Sequence, residues 1–323
     1  MNNININHEL LNRFGRLLKS GRMAHAYLFA GPKGVGKSQT ALALAQMINC
    51  PERLLGKRSD ACQQCPACSR VISRNHPDVF LIDCGQTESI KIAQVRELIG
   101  RLQMRAFEAA VKICILKDIE TMTPESSNAL LKTLEEPVND TLLILTTSVF
   151  EENLKTIVSR CQVIKFYPSS VADVAQQLIN SAGLEQKAAQ CLAQFSQGYL
   201  TQAHALNSEE FFSQKNEIID QLILRENNDL YLKKVLGDKP LTRRALRVVL
   251  SWFRDLLILK SCGKPKQLMH PDRYDELLTL EKKYSFAKIN GVIDQVVDAL
   301  ALLDENLNIK IPFILLREKI WAG

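Results

Sequence analysis

Residues 31–38, Gly31-Pro-Lys-Gly-Val-Gly-Lys-Ser38, decide how the rest of the chain is read, because they meet G-x-x-x-x-G-K-[ST] at every fixed position. Gly31, Gly34 and Gly36 allow a turn tight enough for successive backbone N–H groups to point inward at a phosphate, and Pro32, Lys33 and Val35 supply the intervening backbone of that cradle. Lys37 places a point charge on the β and γ oxygens, Ser38 offers a hydroxyl to a magnesium ion, and the helix that starts here adds its positive end. This is a phosphate cradle, open to ATP or ADP with Mg2+. The flanks agree with this reading. Ala26-Tyr-Leu-Phe-Ala30 is apolar and of strand length, and Ala41, Leu42, Ala45 and Ile48 recur at helical spacing.

Outward from the cradle, strands and helices alternate. Leu10, Leu11, Phe14, Leu17 and Leu18 mark an amphipathic helix over 8–19. Buried strands are expected at 79–83, 111–116 and 141–146, a closing strand at 162–166, and helices at 90–102 and 124–136, the latter stopped by Pro137. His76-Pro77-Asp78 reads as turn chemistry. The alternation predicts an α/β domain with a parallel sheet covered on both faces over residues 1–166. Beyond Pro168 only helical patterns follow. A small helical domain is expected over 167–207, and a larger all-helical packing or oligomerisation domain over 208–323, whose segments include 210–225 and 241–262.

Nine cysteines stand in a chain that opens with Met-Asn-Asn-Ile-Asn-Ile-Asn and shows neither a basic segment followed by an apolar one nor an apolar run of membrane length. The expectation is a cytoplasmic protein without membrane contact, in which cysteines serve metals or remain reduced. Cys62, Cys65 and Cys68 sit at two successive x-x spacings. Cys50 ends the P-loop helix, and the loop-like stretch 51–61 lets it return to them. Four thiolates suit tetrahedral structural zinc in a module over about 50–72, with an iron–sulfur cluster or unpaired thiols as the alternatives. Cys84, Cys114, Cys161, Cys191 and Cys262 stand singly in apolar surroundings and read as core residues. The formal charge of +6 is scattered, so it neither requires nor excludes nucleic acid, and Arg243, Arg244, Arg247 and Arg254 read as a solvated helix face.

A P-loop domain followed by a small helical domain and a helical bundle, with Asn128-Ala-Leu-Leu-Lys-Thr-Leu-Glu-Glu-Pro137 between two strands and Ser159-Arg160-Cys161 before the last, resembles the clamp-loader branch of the AAA+ ATPases, a RecA-like fold. The cysteine module points to its bacterial DNA polymerase III members. The resemblance implies a helical lid over 167–207, a collar over 208–323 and Thr147, with Thr146, as the first sensor of bound nucleotide. It also implies Arg160 as an arginine finger completing a neighbour's ATP site. Partners implied are gamma/tau and delta subunits in a hetero-oligomer, and through the assembly a sliding clamp and primed DNA. Two departures separate the chain from active motor subunits. Where they carry Asp-Glu after the third strand this chain has Lys117-Asp118, and where their lid carries Gly-Ser-x-Arg it has Gly198-Tyr-Leu-Thr201. A lysine does not ligate a cation, so the resemblance implies a subunit that lends its finger while its own site is degenerate. The alternatives are an active gamma/tau-type ATPase and, from another class, a P-loop phosphotransferase, which leaves Ser159-Arg160-Cys161 without a role.

Overall fold

The computed structural model describes residues 8–85, 89–149, 155–224, 229–262, 267–305 and 307–321, with the side chains of His8 and Cys262 excepted. It separates into two compact units, Met1–Pro168 and Ser169–Gly323.

In the first unit helix α1 (His8–Lys19) precedes strand β1 (Ala26–Ala30), and the P-loop leads into α2 (Lys37–Asn49). The short helices α3 (Pro51–Leu54) and α4 (Pro66–Ile72) follow, then β2 (Val79–Ile82), α5 (Ile92–Gln103), β3 (Lys112–Leu116), α6 (Pro124–Glu135), β4 (Thr141–Thr147), α7 (Lys155–Val158) and β5 (Gln162–Lys165). All five strands are parallel, in the order β2-β3-β4-β1-β5. The period of two along a strand sorts the side chains between the two faces. Ala26, Leu28, Cys114, Leu116, Leu143 and Leu145 pack with Val95 and Leu98 of α5, Leu130 and Leu134 of α6 and Ile157 of α7. On the opposite parity Tyr27 and Phe29 meet Phe14 of α1, the Phe14 and Tyr27 rings standing edge to face at 4.9 Å. β1, β3 and β4 are buried at every residue, as strands with two strand neighbours and covered faces must be.

Three expectations are corrected here. The strand at residue 79 is not fully buried: β2 is the sheet edge, and Phe80 to Ile82 are half-buried because one side has no neighbouring strand. The stretch 51–61 is not all loop, since Pro51 starts a helical turn where its missing N–H costs nothing. Cys114 and Cys191 are core residues, but Cys84 and Cys161 are only half-buried, and the side chain of Cys262 lies outside the described residues.

The second unit is helical throughout its described residues: α8 (Val171–Ala182), α9 (Gln186–Phe195), α10 (Leu200–Leu206), α11 (Glu209–Ile218), α12 (Asp229–Gly237), α13 (Lys239–Cys262), α14 (Tyr274–Lys283), α15 (Phe286–Asp304) and α16 (Lys310–Trp321). The segment expected over 210–225 changes character: α11 passes into a wider π turn at Ile219–Leu224, and Arg225 lies outside the described residues. The largest core gathers around α13, where Trp252, Phe253 and Leu256 are completely buried. α9 is fastened to it by Phe195, whose ring meets Phe211 at 5.5 Å and His270 at 5.4 Å.

His76-Pro77-Asp78 does more than turn the chain. The buried Asp78 carboxylate accepts N–H bonds from Phe107, Glu108 and Ala109 at 2.8–3.0 Å, clamping the approach to β3. Burial pushes that carboxyl up, but the N–H donors outweigh it and hold it below the usual range. Its stabilisation is therefore complete above the unfolded value near ~4 and is lost as pH falls through the folded one. Asp78→Asn keeps the shape and removes the charge, and we expect a loss of about 1–3 kcal/mol at pH 7, read by urea unfolding, that shrinks as pH is lowered.

Candidate phosphate cradle and four-cysteine centre

Parallel order places the turn after β1 between β4 and β5. The Gly31 N–H donates to the Thr147 carbonyl at 3.1 Å and the Phe166 N–H to the Ala30 carbonyl at 2.7 Å, so the chain enters the cradle held from both sides. A Cβ on Gly31 would lie 2.3 Å from the Phe166 carbonyl oxygen, a backbone atom with no freedom to withdraw. Gly34 and Gly36 have φ of 82° and 96°, the left-handed region where a side chain is disfavoured, and Gly36 is the N-cap of α2. With no side-chain cap, the first N–H groups of α2 remain available to an anion. These residues fit a bound phosphate: Gly31, Pro32, Lys33, Gly34, Val35 and Gly36 form the turn, and Lys37 and Ser38 open α2.

Lys37 is buried, and its Nζ donates to the carbonyls of Gly31 at 2.6 Å and Pro32 at 2.9 Å. Burial pushes its amine below the usual range, while the carboxylates of Asp118 and Glu120 act in the opposite sense. Thr147 is the last residue of β4 rather than beyond it, and its hydroxyl donates to the Val149 carbonyl at 2.7 Å. Thr146 accepts the Asp118 N–H on its hydroxyl at 3.0 Å. Lys117 pairs with Asp83 at 3.1 Å, at the end of β2. Thr201 lies in the first turn of α10.

Arg160 follows α7 on the surface. Its guanidinium donates to Glu135 on α6, from Nε at 2.9 Å and from the terminal nitrogen at 2.5 Å, and to the Thr156 carbonyl at 2.9 Å. Glu135 is half exposed, which keeps the pair weak.

The four cysteines do converge. The sulfurs of Cys50, Cys62, Cys65 and Cys68 all lie within 4.8 Å of one another, and none is disulfide-bonded. Tetrahedral zinc with Zn–S near 2.3 Å requires sulfurs roughly 3.8 Å apart, so the set fits the ion. Backbone N–H groups already point at the sulfurs: Cys62 donates to Cys50, Cys65 to Cys62 and Cys68 to Cys65, at 3.3–3.4 Å. N–H donors of Gln64 and Cys65 bring the Cys62 thiol down to about 7, whereas burial pushes Cys65 and Cys68 up. A cation would hold all four ionised together. Gln46 of α2 donates to the Cys68 carbonyl at 3.1 Å, tying this centre to the P-loop helix.

Sequence reasoning takes Asp78 as part of a turn motif and does not reach Glu120, which stands two residues past the Lys117-Asp118 register. A groove of about 620 Å³ along β2 and α5, lined by Arg74, His76, Phe80 and Arg101 among others, lies at the sheet edge away from the P-loop and brings together no catalytic set.

A parallel five-stranded α/β sheet with a phosphate cradle after β1 and a four-cysteine centre behind its helix defines a P-loop protein with a thiolate module. Residues 6–170 match the family model described as DNA polymerase III, delta subunit, and the chain belongs to that family. It is 28% identical over 315 residues to DNA polymerase III subunit delta' of Bacillus subtilis, covering 94% of each. It is 38% identical over 139 residues to subunit delta' of Pseudomonas aeruginosa (43% of this chain, 42% of the relative). To subunit tau of Escherichia coli it is 30% identical over 220 residues (67% and 33%). No helix among the described residues is long and apolar enough to cross a membrane.

Gly31→Ala tests the close approach. The added methyl must displace the Phe166 backbone, so we expect a loss of about 1–3 kcal/mol in urea unfolding together with weaker retention on immobilised ATP.

Proposed function

We propose that the chain is a delta-prime-type subunit of the DNA polymerase III clamp loader, working in a hetero-oligomer with gamma/tau and delta subunits to place a sliding clamp on primed DNA in the cytoplasm. The observation that carries this reading is the match to a delta' subunit across 94% of both chains, combined with a surface arginine in the Ser159-Arg160-Cys161 sequence.

In this reading Arg160 exchanges its half-exposed partner Glu135 for the γ-phosphate in a neighbouring subunit's site. A planar guanidinium there neutralises developing charge, and an exposed carboxylate pair costs little to give up. The chain's own cradle binds ATP or ADP through the 31–38 backbone, Lys37 and Ser38, with Thr147 at its edge. A bound Mg2+ nucleotide supplies the phosphates and the charge that the loop neutralises. Hydrolysis in this site is negligible, because Lys117 stands where motor subunits order the ion and Thr201 where their lid arginine stands. Residues 167–207 act as the lid and 208–323 as the collar through which the subunits assemble. The four-cysteine centre holds structural zinc, fixing a module too small to build its own core.

Two measurements test this. Chelator-free protein should carry one zinc per chain by elemental analysis, and Cys68→Ser should lose it and open 50–72 to protease while far-ultraviolet circular dichroism stays largely unchanged. In the reconstituted loader with clamp and primed DNA, Arg160→Ala should lower ATP turnover by about 10³–10⁵ at the site it completes, with assembly intact, whereas Lys37→Ala should barely change turnover. The reverse order of effects would make this chain a gamma/tau-type motor.

A further inference from the structure

Topology sets the two halves of the Lys117–Glu120 segment apart. β3 lies between β2 and β4, and the P-loop follows β1 on the far side of β4. Lys117, directly after β3, turns toward β2 and is neutralised by Asp83. The backbone then reverses. Asp118 takes φ 51°, ψ 58°, a left-handed conformation that a residue with a side chain adopts only when its surroundings impose it, and its N–H is caught by the Thr146 hydroxyl on β4. The 3₁₀ turn Ile119–Thr121 that follows carries Glu120 across the end of β4. There Oε1 accepts the Ser148 N–H at 3.0 Å and the Ser148 hydroxyl.

The other oxygen, Oε2, is buried and has no hydrogen-bond partner among the described residues. A carboxylate oxygen without a hydrogen-bond partner in a buried place is free to accept one from a ligand. Glu120 acts electrostatically on Lys37, as the neighbouring Asp118 carboxylate does more strongly. Magnesium is characteristically held by one or two carboxylates together with substrate phosphates, and a hydroxyl such as that of Ser38 completes such a set.

We propose that Glu120, aimed by Ser148 and by the left-handed turn at Asp118, is the carboxylate that orders a divalent cation on the phosphates of a bound nucleotide, in the role that position 117 does not fill. This rests on the nucleotide-binding reading above and changes its consequence: the site keeps a magnesium-dependent nucleotide grip even though the lysine stands in the usual register.

The test uses the full-length chain and fluorescent N-methylanthraniloyl ATP, titrated by anisotropy in magnesium chloride and again in EDTA. Wild type should bind more tightly with magnesium. Glu120→Gln should lose on the order of 10- to 100-fold in the magnesium series and little in EDTA, the range typical of removing a group from a metal site. Lys117→Ala should keep the full magnesium gain. Ser148→Ala, which leaves the carboxylate but frees its aim, should lose part of the gain, and it decides the matter if Glu120→Gln does not fold. A magnesium gain untouched in Glu120→Gln, or an equal weakening with and without magnesium, overturns the assignment while nucleotide binding stands. Wild type that binds in neither series overturns both.

Discussion

The backbone at Gly31 runs so close to that of Phe166 that the arrangement around it depends on a residue with no Cβ. β1 is hydrogen-bonded on one side to β4 and on the other to β5. The bonds from Gly31 to Thr147 and from Phe166 to Ala30 keep all three backbones together just where the cradle begins. Any side chain at position 31 would occupy the Phe166 carbonyl, so the strands would have to part and the loop would lose its lateral supports. A parallel sheet makes such a junction possible, because every strand ends at the same edge and loops from three of them converge there.

From that junction rigidity passes along α2 to the other end of the sheet. Asn49 exchanges two hydrogen bonds with the backbone of Val111, joining the end of α2 to the start of β3, and Gln46 reaches the Cys68 carbonyl. Cys50 is the next residue in the chain, so the four-cysteine centre is anchored through the P-loop helix itself. Arg70 on α4 reaches Glu108, and Glu108 is held beside His76, which links the cysteine module to the loop clamped by Asp78. The phosphate cradle and the thiolate centre thus stand at the two ends of α2.

The charges near the cradle divide by strand. Lys117 is settled on the β2 side by Asp83 and Arg160 on the surface by Glu135, while Asp118, Glu120 and Lys33 act on Lys37 in the loop. The lysine in the motif register thus has its charge paired with Asp83. Arg160 is likewise not a free guanidinium waiting for a partner. It is parked on the helix that carries Asn128 to Glu135, where a half-exposed carboxylate holds it loosely.

The amino-acid sequence by itself determined the parts whose chemistry is local. The spacing of glycines with Lys37 and Ser38, the strand–loop–helix order around them, the x-x spacing of Cys62, Cys65 and Cys68, and the change from alternating to purely helical patterns at about residue 168 all follow from neighbours along the chain. Even the return of Cys50, twelve residues from Cys62, was legible, because a short loop leaves few places to go. What only the tertiary structure decided is lateral. Hydrophobic period reports which face of a strand is buried but not which strand lies beside it, since strand neighbours are chosen by hydrogen bonds between residues distant in sequence. For that reason residues 79–83 read as a buried strand and proved to be a half-buried edge, Asp78 read as a turn residue and proved to be a clamp on 107–109, and Lys117, in the register of the metal-ordering residue, proved to pair with Asp83 on the β2 side.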